Sequence, residues 1–243
     1  MFARRITIAA HAWPGYEFLF LAQREKWLDN SLVDLIETTS ATESLNALLD
    51  GKIDGAALTL DEVLTARASG LPLTVVLVFN ISAGADMLLA RSHIAKLADL
   101  KGQRIGFEQG GVGSLLLYKA LDAAGLSMAE IIAVPLTIDA HFQAWQHQQI
   151  DALVTYEPIA SRLLREGATK LFDSRKIPDT IFDVLAFRTD RLGISRGPAI
   201  RHLVATHLKA LEHLTKNPQD AAYRMAPRFK LSPAQVLGAY KGL

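Results

Sequence analysis

The chain has 243 residues, half of them apolar and about a fifth charged, enough for one large domain or two ordinary lobes and too apolar for disorder. Its 26 lysines and arginines nearly cancel its 25 aspartates and glutamates, interspersed without runs of one sign, so no whole-chain field draws nucleic acid or an anionic membrane. The absence of cysteine removes disulfides, thiolate metal sites and a cysteine nucleophile, and no apolar run reaches the ~18 residues that span a bilayer.

Short β-rich runs alternate with amphipathic helical stretches, the pattern of an α/β layered fold with largely parallel sheets. The start carries two arginines, Arg4 and Arg5, and reads straight into the first run, Arg5–Ala9, without a long apolar stretch or small-residue cleavage site; a targeting segment of an exported protein would lie outside these residues. Val33–Glu37, Gly55–Leu58, Leu73–Phe79 and Met87–Ala90 complete a first series of strands. Arg104–Glu108, Ile131–Leu136, Ala152–Thr155, Lys170–Phe172 and Ile181–Phe187 form a second. Between them, apolar spacings of three and four (Leu45, Leu48, Leu49; Leu117, Leu121, Ala124) mark helices. Ser40 with Glu43 and Thr59 with Glu62 match the capping box, and Gly125 and Gly167 stand where helices stop. A long helix over Ala199–Lys216 carries Ile200, Leu203, Val204, His207, Leu208 and Leu211 on one face and ends at Asn217-Pro218; only helix follows it.

The two strand series divide near Arg91–Leu100, and a strand near Ile181–Phe187 can return the chain to the first lobe. The expected organisation is therefore lobe one over 1–90 plus 187–243 and lobe two over 91–186, with two crossings that would form a hinge.

In open α/β sheets ligands sit beyond the carboxyl ends of strands, where helix N-termini present unpaired N–H groups. Five segments occupy such places: Trp13–Glu17, Thr39–Thr42, Leu58–Glu62, Glu108–Ser114 and Thr155–Pro158. In the first, Pro14 and Gly15 force a turn that either presents Trp13 and Tyr16 as ligand walls or packs them on the core. Gly110 to Ser114 could cradle an anion but lacks the lysine of a P-loop, and Leu116 stands where a dinucleotide fingerprint needs its third glycine. Asp86 could bind an amine or cap local backbone, and Glu157 could contact a ligand or simply open a helix. No Arg or Lys falls inside the five segments, whereas Glu17, Asp61, Glu62, Glu108 and Glu157 do, with Asp86 nearby. If two of these carboxylates face a cleft, a ligand with an amine or ring N–H is favoured over a simple anion. The seven histidines show no metal spacing, and neither a G-x-S-x-G elbow nor an S-x-x-K motif occurs, so no cofactor, metal or catalytic residue is expected.

The segments Trp13–Leu28, Ala41–Ala56, Ser82–Asp86, Leu97–Glu108 and Asp151–Pro158 together resemble, in order, the solute-binding proteins of ABC transporters for nitrate, taurine, alkanesulfonates and thiamine-pyrimidine precursors. The resemblance implies a type II periplasmic-binding-protein fold: two α/β lobes, a two-strand hinge and closure around one solute. Carried over position by position, it implies ligand contacts from Trp13, Gly15, Tyr16 and Glu17, then Ser40, Ala41 and Thr42, then Thr59 and Asp86. Gly111, Val112, Gly113 and Ser114, with Tyr156 and Glu157, complete that set. It further implies a monomer outside the cytoplasm, a solute that is amine-bearing or a sulfonate- or nitrate-type anion, and an ABC permease as membrane partner. Such proteins carry an export signal and continue beyond Leu243, so the chain is expected to be a piece of something longer, a transport component or a sensor's ligand domain. The fold also serves enzymes of menaquinone and thiamine-pyrimidine synthesis, which keeps an enzyme as the alternative. The cysteine-rich pyrimidine synthase type is disfavoured, because the chain has no cysteine.

Overall fold

The computed structural model describes residues 3–243; Met1 and Phe2, the start of the expected first lobe, lie outside the described residues. The chain divides into two compact units, Met1–Asn80 with Asp183–Tyr240, and Ile81–Phe182 with Lys241–Leu243.

The first unit contains β1 (Ile6–Ala10), α1 (Glu17–Arg24), β2 (Val33–Glu37), α2 (Ala41–Leu49), β3 (Gly55–Thr59), α3 (Leu60–Ala68) and most of β4 (Leu73–Ile81). The second holds β5 (Asp86–Ala90), β6 (Arg104–Phe107), α4 (Val112–Ala123), β7 (Ile132–Pro135), α5 (Ile138–Gln146), β8 (Ala152–Tyr156), α6 (Ile159–Arg165) and β9 (Thr169–Asp173). With β10 (Phe182–Arg188) the chain returns to the first unit and adds α7 (Gly197–Lys216), α8 (Pro218–Phe229) and α9 (Pro233–Ala239).

Each unit is built on one five-stranded sheet, ordered β2-β1-β3-β10-β4 and β7-β6-β8-β5-β9. These strands read as largely apolar runs because helices cover them: every residue of β3, β5 and β8 is buried. The expectation of largely parallel sheets needs correction. β1 runs parallel to β2 and β3, and β6 parallel to β7 and β8, but β10 is antiparallel to β3, and β5 is antiparallel to β8 and β9. The parallel strands are those reached through a crossover helix; β5 and β10 enter their sheets where the chain passes between units, without that constraint.

In the second unit Trp145, Leu153, Ile150 and Leu163 centre a buried cluster, each burial contributing roughly 1.5–3 kcal/mol. The Arg91 guanidinium lies 4.4 Å over the Trp145 ring, and Arg104 grips Asp151 with two bonds of 2.9 and 2.7 Å. In the first unit α7 buries only part of the face its apolar spacing predicts. Ala199, Leu203, Thr206, His207 and Ala210 are inside, while Leu208 and Leu211 are 50% and 37% exposed. Small residues at 199 and 210 let the helix approach closely, which turns its larger neighbours outward.

Candidate functional site

In the first unit the loops that leave β1, β2 and β3 lie side by side, because those strands are parallel neighbours. After β1, Pro14–Tyr16 forms a single 3₁₀ turn, closed by Tyr16 and Glu17 N–H groups on the Trp13 carbonyl. Both aromatics pack inward: Trp13 is 3% and Tyr16 1% exposed, with ring centroids 6.5 Å apart, and Tyr16 also meets His11 at 5.3 Å and Phe79 at 5.2 Å. The Tyr16 hydroxyl donates to Asp183 Oδ1 at 2.7 Å, and Asn80 Nδ2 donates to Asp183 Oδ2 at 2.7 Å. At Gly15 a Cβ would fall 1.9 Å from Asn80 Oδ1 and 2.9 Å from Trp13 Nε1, so any larger residue must displace those side chains. Thr59, at the end of β3, is the register partner of Asp183 on β10, so Trp13, Gly15, Tyr16 and Thr59 gather at one end of one sheet.

After β2, Thr38 N–H donates to the Ala10 carbonyl at 3.1 Å, which ties this exit to that of β1. Ser40 Oγ caps α2 by accepting from Glu43 N at 3.1 Å. The Glu43 carboxylate reaches one residue further back than a capping box requires, to Thr39 N and Oγ1 at 2.6 and 2.8 Å. Ala41 is buried and Thr42 half-buried at the first turn of the helix. Of the second capping box the acidic half forms, with Thr59 N–H donating to Glu62 at 2.8 Å.

Glu17 sits at the start of α1, but its side chain is fully buried among cations of its own unit rather than among the other expected contacts. Arg24 Nη2 holds one oxygen at 3.1 Å and Arg228 Nη1 the other. Burial pushes this carboxyl up to about 7, against the opposing pull of Arg228 and Arg24.

In the second unit β6 and β8 are parallel neighbours, so the Glu108–Ser114 loop and Tyr156 leave the same end of the sheet. Asp86, first residue of antiparallel β5, is the register partner of Tyr156; both are buried. Gly111 precedes α4, Val112 and Gly113 are buried in its first turn, and Ser114 Oγ accepts from Gly110 N at 3.1 Å. Glu157 is turned to its own helix. Its carboxylate accepts from Ser161 N and Oγ at 3.1 and 2.8 Å, and burial raises its pKa. Burial likewise raises Asp61.

Of the acidic side chains whose number favoured an amine, Glu17, Glu62 and Glu157 are thus engaged with donors of their own units. His141 is structural: Nδ1 lies 3.2 Å from Thr155 Oγ1 and Nε2 3.2 Å from the Leu136 carbonyl, and burial pushes its pKa down to about 4. Sequence reasoning missed Asn80 and Asp183. Their signal was available, as both are polar residues in largely apolar strand runs, and a polar group withdrawn from water there must find a partner. Among the described residues no group of three His, Cys, Asp or Glu could hold a metal ion, and no helix is long and apolar enough to cross a membrane.

Two α/β units of this mixed strand order, joined by strands that pass between them, define the periplasmic-binding-protein class of fold. The chain belongs to the NMT1/THI5-like family, whose model matches residues 18–221. It is 28% identical over 219 residues to an Escherichia coli (strain K12) protein assigned as an aliphatic sulfonates-binding protein, covering 89% of this chain and 68% of that one. A binding protein of Brucella abortus is 24% identical over 155 residues; the match spans 63% of this chain and about half (49%) of that relative. Among solved structures, the alkanesulfonate-binding protein SsuA of Xanthomonas axonopodis pv. citri, bound to MOPS, superposes with a TM-score of 0.86 at 25% identity, over 100% of this chain and 85% of that one. The nitrate-binding protein NrtA of Synechocystis PCC 6803 shares the fold at a TM-score of 0.77 and 13% identity, over 96% and 68% of the two chains. These relatives are binding proteins by name.

Proposed function

We propose that this chain is the substrate-binding component of an ABC-type importer, capturing a small sulfonate-class oxyanion outside the cytoplasm and presenting it to a membrane permease. The likeness, over all of this chain and 85% of the other, to an alkanesulfonate-binding protein bound to MOPS, itself a sulfonate, carries this reading. The occupation of Glu17, Glu62 and Glu157 by internal donors supports it, because fewer carboxylates remain to attract an amine than the sequence suggests. Oxyanion donors would come from the first turns of α2 and α4, with the hydroxyls of Thr42 and Ser114, each at the carboxyl end of its own sheet. Capture would work by hinge closure. A ligand that touches both units only when they are closed stabilises that state by its differential affinity.

Titration calorimetry with MOPS, ethanesulfonate, taurine, nitrate and an aminopyrimidine tests the solute class, and small-angle scattering with and without ligand tests closure. Heat from the sulfonates with a smaller radius of gyration is the expected result. Binding of the aminopyrimidine alone, or binding with no change of radius, would refute the solute or the closure respectively.

A further inference from the structure

We propose that Arg228 and Tyr240, from the C-terminal helical segment, are positioning residues for the Trp13–Tyr16 turn. The proposal rests on the ligand reading above only for its functional consequence. Both ends of this short turn are pinned from the same distant part of the chain. At one end, the Tyr240 hydroxyl, just past α9, donates to the Pro14 carbonyl at 2.9 Å, and its ring lies 5.4 Å from that of Phe18. At the other, Glu17 follows the turn directly and bonds Arg228, near the end of α8. Arg228 is itself fixed: its second amino group meets Glu37 on β2 at 2.9 Å, and its guanidinium lies 3.5 Å over the Phe20 ring. Glu17 and Arg228 are 0% and 13% exposed, so this ion pair is shielded from screening, and its loss would leave the buried Glu17 with Arg24 as its remaining cation.

A pair that only joined helices could sit anywhere along α1. This one lies at the residue where the turn becomes helix, while the Tyr240 bond holds a carbonyl of the turn itself. The turn's backbone is thereby held from outside as well as by its internal bonds to Trp13. This is the preorganisation a binding loop needs, because a loop ordered in advance gives up less entropy when ligand arrives.

The test uses Tyr240→Phe, which deletes one hydroxyl, and the charge-neutral double variant Glu17→Gln with Arg228→Gln, which avoids stranding a buried ion. Amide hydrogen exchange of Gly15, Tyr16 and Glu17 is read without ligand, beside the urea midpoint and the affinity for MOPS. Tyr240→Phe should accelerate exchange of these amides about tenfold and weaken MOPS by about the same factor, with amides of β1 and β2 unchanged. A merely structural role would move the global midpoint and all amides together. Unchanged exchange at residues 15–17 in both variants, or a uniform rise across the unit, would overturn the proposal whatever the ligand proves to be. If the wild type fails to bind MOPS, the solute assignment falls, and the exchange data still decide this one.

Discussion

Replacing Gly113 by alanine sets two effects against each other. In a helix interior this change is worth about 1 kcal/mol of stability, because glycine loses more backbone freedom on folding. In the first turn of α4, however, a Cβ on Gly113 would lie 2.6 Å from the carbonyl oxygen and 2.8 Å from the amide nitrogen of Glu108. Both are backbone atoms at the exit of β6, so no rotamer change relieves the clash. Taking 3.4 Å as the start of ordinary contact, 3.4 − 2.6 = 0.8 Å must come from moving the helix N-terminus away from the strand. Overpacking on that scale costs ~1–3 kcal/mol, so the clash wins or at least cancels, with a net loss of about 1 kcal/mol expected. Urea unfolding followed by circular dichroism reads this. Gly125→Ala is the control: its φ of +67° penalises alanine by ~1 kcal/mol, yet nothing lies within 4 Å to clash. MOPS affinity should fall for Gly113→Ala, whose α4 first turn shifts, and hold for Gly125→Ala. A Gly113→Ala protein about 1 kcal/mol more stable than wild type would refute the argument, because propensity alone would then have decided the outcome.

Burial holds His11 down to about 3, and His141 and His207 down to about 4. Unfolded histidines titrate near ~6.5, so between pH 6.5 and 4 the unfolded chain takes protons the native state refuses, and stability falls by up to ~3 kcal/mol per histidine. Glu17 has the opposite sign. With its pKa raised to about 7, it adds stability as pH falls from there towards the unfolded carboxyl value, so Glu17→Gln should steepen the acid decline and His141→Asn should flatten it. A urea midpoint that stays level from neutral pH to the mid-fours would contradict this account. Tyr16→Phe deprives the buried Asp183 of its 2.7 Å donor and should cost ~1.5–3 kcal/mol, most of which should vanish in an Asp183→Asn background; additive losses would show that the bond contributes little. On α7, Leu203→Ala should cost ~2–5 kcal/mol and the half-exposed Leu208→Ala under ~1 kcal/mol, a ranking that thermal unfolding of both variants checks.

The ten strands among the described residues and the long helix α7 could be read from the chain, because buried β runs and amphipathic periodicity are local properties. Helix ends were legible for the same reason. Ser40, Thr59, Gly125 and Gly167 act on backbone groups within a few residues of themselves. The loops that leave β1, β2, β3, β6 and β8 were legible too, since a turn signal between a strand and a helix fixes where the chain reverses.

Direction and partnership were not legible. Whether β5 and β10 run with or against their neighbours depends on how the chain enters each sheet, and residues within a strand carry almost no record of that. Which face α7 buries depended on what α1 and Phe79 present to it, so small Ala199 and Ala210 went inside in preference to Leu208 and Leu211. Glu17 looked like a ligand carboxylate because Arg228 is 211 residues away, and Asp183 looked like a strand residue because Tyr16 is 167 away. Sequence alone thus determined the elements, their ends and the family pattern, all of which rest on interactions a few residues long. Tertiary structure alone decided which partner each buried polar side chain meets, because a buried charge takes whichever partner the fold brings within hydrogen-bond reach.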